Sequence, residues 1–92
     1  MVTAIVMLSV DPHRVPEIAQ EIAGLDGVSE VYSVTGRFDL VAILRVHSVE
    51  DLAPLVTEHL LRVGGITHSE TLFAFKTYSQ HDLEAMFSVG LK

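Results

Sequence analysis

The sequence predicts an α+β fold whose elements run β-α-β-β-α-β, and three observations carry that expectation. Four segments are dense in alternating, β-branched or aromatic residues, two others repeat apolar residues at helical spacing, and glycine or proline punctuates the junctions.

Met1 to Val10 reads as the first strand. Val2, Ala4, Val6, Leu8 and Val10 fall on one face, with Met1, Thr3, Ile5, Met7 and Ser9 on the other. Both faces are largely apolar, whereas a strand with one wet face alternates more cleanly, so the second face is expected to meet another sheet. Asp11-Pro12 ends the strand. Val15, Ile18, Ala19 and Ile22 then recur at i, i+3, i+4, i+7, the spacing of a helix with one buried stripe. A start near His13 leaves Pro16 in the first turn, where a missing N–H costs nothing. Gly24 and Gly27 close the helix.

Val28 to Val34 and Leu40 to His47 are the second and third strands, the latter with Leu40, Ala42, Leu44 and Val46 on one face. The connection Thr35-Gly36-Arg37-Phe38-Asp39 is short enough for an antiparallel hairpin, with Gly36 free to take positive φ. Ser48-Val49-Glu50-Asp51 has capping-box spacing, the Ser48 oxygen facing the Asp51 N–H. The second helix buries Leu52, Leu55, Val56, Leu60 and Val63 and stops at Gly64-Gly65. Pro54 disturbs it: either the first turn is irregular or the helix begins later. Ile66 to Tyr78 is the fourth strand. Beyond Ser79, Leu83, Met86 and Phe87 suggest a short helical turn, while Val89 and Leu91 would suit an edge strand.

This order is the ferredoxin-like or split βαβ arrangement, a four-stranded antiparallel sheet with two helices on one face. Stacked sheet on sheet with a second subunit, it forms a dimeric α+β barrel.

The 92 residues fit one domain, residues 1–92, with a core about 2–78 and a tail 79–92. Hydrophobic residues at 49% against 20% charged supply a core. A monomer of this size hides only roughly two thirds of its unfolded surface, and no cysteine staples it, which favours a homo-oligomer. Six Lys and Arg, scattered singly, against 12 Asp and Glu give a net charge of −6. Direct nucleic-acid binding is therefore not expected, because clustered cations supply most phosphate affinity. No membrane contact is expected either, since no run reaches the roughly 18 to 20 apolar residues of a spanning helix. Without cysteines or an export signal, the expected compartment is the cytoplasm.

No catalytic apparatus, cofactor or metal site is expected. The histidines at 13, 47, 59, 68 and 81 lack ligand spacing: His47 reads as a strand end, His13 and His59 as exposed helix positions, and His81 as part of a solvated tail. The serines lack a nucleophile-elbow pattern, and no glycine-rich phosphate loop follows the first strand. Two polar interruptions remain. Thr67, His68, Ser69, Glu70 and Thr71 open an otherwise apolar strand, either as an exposed strand end or as donors and acceptors for a small polar ligand. The Thr35–Asp39 turn is either an ordinary hairpin, with Asp39 bonding local N–H groups and Arg37 solvated, or a recognition loop. In the second reading N–H groups around Gly36 receive a carboxylate and Asp39 an ammonium, the two ends of a free amino acid.

The run Val34-Thr35-Gly36-Arg37-Phe38-Asp39-Leu40, entering an apolar third strand, and Gly65-Ile66-Thr67-His68-Ser69-Glu70-Thr71, opening the fourth, resemble the effector-binding domain of the leucine-responsive (Lrp/AsnC) transcriptional regulators, the RAM domain, for regulation of amino acid metabolism. The resemblance spans roughly Val2 to Tyr78. It implies dimers formed through the sheets, assembly of dimers into rings, and an amino acid effector bound between dimers near Gly36, Asp39, Ser69 and Thr71. His68 stands where the family commonly has arginine, and Ser69 where it commonly has threonine. Family members usually carry an N-terminal helix-turn-helix, whereas here Met1 leads directly into the first strand, so the chain resembles a stand-alone member.

The expected ligand-binding residues are thus Thr35, Gly36, Arg37, Asp39, Thr67, His68, Ser69 and Thr71. The expected partners are a free amino acid effector, copies of the chain in a ring of dimers, and full-length Lrp/AsnC regulators. Two alternatives stand beside this sensor. One is an enzyme of the dimeric α+β barrel type, a cofactor-free oxygenase or isomerase, which a buried pocket histidine would favour. The other is a pure interaction module that joins full-length regulators.

Overall fold

The computed structural model describes residues 1–80. The tail expectations for His81, Leu83, Met86, Phe87, Val89 and Leu91 lie outside the described residues. Strands β1 (Val2–Val10), β2 (Val28–Ser33), β3 (Leu40–Val46) and β4 (Ile66–Ala74) form one sheet in the order β2-β3-β1-β4. Every neighbouring pair is antiparallel. Helix α1 (Val15–Ala23) links β1 to β2, and a second helix beginning with α2 (Val49–Pro54) links β3 to β4.

The period-two pattern of β1 decides the layering. Ala4, Val6 and Leu8, with Leu40, Ala42 and Leu44 beside them on β3, are fully buried. They form the core with Ile18 and Ile22 of α1 and with Leu52, Leu55, Val56, Leu60 and Val63. The alternate residues Ile5, Met7, Val41 and Ile43 share the other sheet face through the Ile5–Ile43 and Met7–Val41 pairs and are only half-buried. An apolar central patch is thus left on that face.

The structure corrects several local expectations. α1 begins at Val15 rather than His13, keeping Pro16 within its first two positions. β4 stops at Ala74 instead of Tyr78, because Ala74 pairs with Thr3 and β1 offers almost no strand beyond it. Phe75 is 95% exposed as a result. The capping box does not form: the Ser48 hydroxyl donates to the Asp51 carboxylate at 3.0 Å, and the Asp51 N–H goes to the Ser48 carbonyl at 3.1 Å. Pro54 leaves the helix start at Val49 intact and acts downstream. After it the helix continues as a π-helical turn over Leu55–His59 and a 3-10 turn over Leu60–Arg62. Proline cannot donate to the turn before it, and that missing bond relaxes the regular winding.

Candidate ligand-binding site

The Thr35–Asp39 turn projects from the end of the β2–β3 hairpin, and β1 carries its anchor. Gly36 takes φ +111, with nothing within 4 Å of the position a Cβ would occupy, so the turn needs glycine for its backbone angle and not for space. The Val34 N–H donates to the Asp39 carbonyl at 3.0 Å, closing the loop. Asp39 then binds β1 twice: its N–H donates to the Leu8 carbonyl at 2.8 Å, and its Oδ2 accepts the Val10 N–H at 2.9 Å.

That second bond meets a break in the ladder. Between Ser9 and Val10 the β1–β4 register shifts, Ser9 pairing with His68 and Val10 with Ile66, so Thr67 is the extra residue of a bulge. The Thr67 hydroxyl donates to the Ser9 carbonyl at 3.1 Å. The start of β4 is thereby held next to the turn. Phe38 completes the junction: its ring stacks on the His68 imidazole, centroids 6.0 Å apart and planes inclined 12°, with the Arg37 guanidinium 5.5 Å from its centroid.

Not every expected residue converges. His68 and Glu70 pair with Ser9 and Met7 and share the open sheet face, whereas Ser69 and Thr71 pair with Leu8 and Val6 and point to the helix side at the sheet edge. The junction therefore links Arg37 and Phe38 to His68, and Asp39 to Thr67 through the Ser9–Val10 step of β1, while Thr35 and Gly36 stand out on the turn and Ser69 and Thr71 lie across the strand. Phe38 and the Val10 N–H are partners that pattern reading passed over. The available signal for Phe38 was an aromatic ring inside a turn whose other members are polar or glycine.

Chemically, the junction offers an exposed guanidinium, an exposed imidazole and a half-buried carboxylate. Asp39 Oδ2 is committed to the backbone, and its Oδ1 has no partner among the described residues. No polar or charged side chain is buried among the described residues, His68 included. None of them groups three or more histidines, aspartates or glutamates as a metal site.

A second charged cluster lies at the far corner of the open face. Glu30 accepts from the Tyr32 hydroxyl at 2.6 Å, from Arg45 at 3.0 Å and from Ser29 at 3.1 Å. Those bonds, Tyr32 first, hold the Glu30 carboxyl below its ordinary range, and the bond to Glu30 raises the Tyr32 phenol.

A family profile described as the Lrp/AsnC ligand binding domain matches residues 3–83. The HTH-type transcriptional regulator PF0250 of Pyrococcus furiosus is 31% identical over 81 residues, covering 85% of this chain and 54% of its own. This chain thus spans about half the length of the curated relatives it matches. Among solved structures, TTHA0845 of Thermus thermophilus is 44% identical, with a TM-score of 0.81 and coverage of 87% of this chain and 100% of that one. The transcriptional regulator NMB0573 of Neisseria meningitidis, solved as an L-Met complex, shares the fold at a TM-score of 0.75 and 16% identity, over 86% of this chain and 53% of that one.

Proposed function

The chain belongs to the Lrp/AsnC family through its ligand-binding domain, and on that premise we propose that it is an amino-acid-responsive regulatory module that acts by binding and assembly, not by catalysis. The observation that carries the reading is the Phe38–His68 stack, which joins the turn and the start of β4 into one surface. In this reading the effector carboxylate is received by Arg37 and the N–H groups around Gly36, and its ammonium by Asp39 Oδ1. Thr35, Thr67 and His68 border the ligand. Ser69 and Thr71 contribute from the sheet edge, at a contact with a neighbouring subunit.

Assembly follows from the open sheet face. Ile5, Met7, Val41 and Ile43 sit at its centre, and a second copy covers them sheet on sheet. Dimers then join into rings. The relatives' names support a role in transcription regulation, and full-length Lrp/AsnC regulators are the hetero-partners. The module itself leaves DNA alone: with a net charge of −6, it also spends Arg14 on Glu17 at 3.1 Å and Arg45 on Glu30 at 3.0 Å. No helix among the described residues is long and apolar enough to cross a membrane, and the cytoplasm is the compartment we infer.

Titration calorimetry with the common α-amino acids tests this. At least one should release heat, and Arg37→Ala should abolish most of that signal. A bound effector at 100 times its dissociation constant should also stabilise the protein by about 2.7 kcal/mol. Absence of heat with every amino acid would remove the sensor reading and leave the interaction module.

A further inference from the structure

We propose that a cleft at the opposite end of the β2–β3 hairpin from Gly36 is a second binding site, specific for a small aliphatic amine. This goes beyond the amino-acid reading of the turn and uses none of its residues.

The cleft measures 640 Å³ and lies between the α1–β2 turn, the end of β3 and the irregular second helix. That volume falls within the roughly 300 to 1,000 Å³ of small-molecule sites. Its seam is tightly built. Gly27 adopts φ +101, and a Cβ there would stand 2.7 Å from Leu55 Cδ2 and 3.3 Å from Val46 Cγ1. The Gly27 carbonyl also accepts the Arg45 N–H at 2.9 Å, pinning the turn to β3. The opposite wall is the segment from Pro54 through the π-helical turn, which carries Leu55 and His59 into the lining. π-turns are rare and recur at functional sites.

The chemistry of the lining selects the ligand. Leu25, Val46 and Leu55 supply an apolar wall. Arg45 also borders the cleft, but its guanidinium is engaged by Ser29 at 2.7 Å and by Glu30 at 3.0 Å. The uncompensated charge is therefore that of the Asp26 and Asp51 carboxylates, and the Ser48 hydroxyl at 3.0 Å orients the latter. His47 and His59, whose imidazoles have no hydrogen-bond partner among the described residues, border the same space. A primary ammonium has three N–H donors for such acceptors, and a short branched alkyl chain fits the apolar wall. The net charge of −6 favours a cation over an anion. An α-amino acid brings a carboxylate that Asp26 and Asp51 repel, so the simple amine should bind more tightly here than its amino acid counterpart.

The experiment is a titration of the intact protein with 3-methylbutylamine, and in parallel with L-leucine, followed by backbone amide NMR. The amine should move the amides of Gly27, Val46, His47 and Leu55 and leave Gly36 to Asp39 unmoved. Asp26→Asn and Asp51→Asn should each weaken it by roughly fivefold, the scale of an exposed charge contact of about 1 kcal/mol. Arg37→Ala should leave it unchanged. The proposal is overturned by no cleft shifts at millimolar amine, by unchanged affinity in both aspartate variants, or by L-leucine perturbing the cleft as strongly as the amine. None of these outcomes bears on amino acid binding at the turn, which Arg37→Ala reports separately.

Discussion

Phe38 and His68, thirty positions apart in the chain, lie with their rings stacked at 6.0 Å between centroids and 12° between planes. The pair is asymmetric, for Phe38 is 9% exposed while His68 is open to solvent. The hairpin turn therefore supplies the buried half of the contact, and β4 supplies the half that a ligand can reach.

Truncating the two rings should have unequal effects. Phe38→Ala should cost about 3 kcal/mol of stability, the scale for a buried phenylalanine, and His68→Ala less than about 1 kcal/mol. Their double-mutant coupling, read from urea midpoints, should fall near 0.5 to 1.5 kcal/mol. Strict additivity would mean that the stack contributes nothing to joining turn and strand.

Asp39 has a structural duty as well as its proposed one. Asp39→Ala strips the Val10 N–H of its acceptor at the bulge, and should destabilise the fold by about 1 to 3 kcal/mol. Asp39→Asn keeps an oxygen there and should recover much of the loss while weakening effector binding. Hydrogen exchange at the Val10 amide gives a direct readout: it should quicken in the alanine variant and change little in the asparagine one.

Two glycines at positive φ should respond differently to alanine. At Gly36 the added methyl meets nothing within 4 Å, so only backbone strain of about 1 to 2 kcal/mol is expected. At Gly27 it also meets Leu55 Cδ2 at 2.7 Å, so Gly27→Ala should lower the melting temperature further than Gly36→Ala.

The open sheet face predicts a charge-sensitive assembly. Ile43→Lys puts an ammonium at its centre, opposite Ile5, where a buried unpaired charge would cost several kcal/mol at a subunit contact. In sedimentation the wild type should exceed the 10.1 kDa of one chain, whereas the variant should run as a folded monomer. A monomeric wild type at micromolar concentration would sink the assembly model.

Acid should loosen the Glu30 corner. Hydrogen bonds from Tyr32, Arg45 and Ser29 lower the Glu30 carboxyl from its ordinary 4.5. Its contribution to stability is therefore fully present above that value and is lost as pH falls through the lowered folded value. Solvent screening keeps the effect small. Glu30→Gln removes that contribution, so the variant should melt slightly below the wild type at neutral pH, and the gap should close as pH falls through the lowered value.

Period and composition alone determined the element order, the antiparallel hairpin and the buried stripe of each helix. Those features depend on backbone geometry repeating every 2 or about 3.6 residues, which a sequence displays directly. The same alternation marked the second face of β1 as apolar, and the turn and the start of β4 as places where polar residues interrupt the pattern. What tertiary structure decided is how those interruptions meet. The Asp39–Val10 bond spans 29 positions, and its position depends on a bulge at Ser9/Val10 that no local pattern announces. Likewise the register of β4 against β1 carries His68 to one face and Ser69 with Thr71 to the other, and ends the strand at Ala74, where its partner runs out. Pro54 was legible as a disturbance, but only the folded chain shows that the helix start at Val49 holds and that the winding changes after the proline. Hydrogen bonds and ring contacts between distant segments are settled by register and packing, and these exist only once the chain has closed on itself.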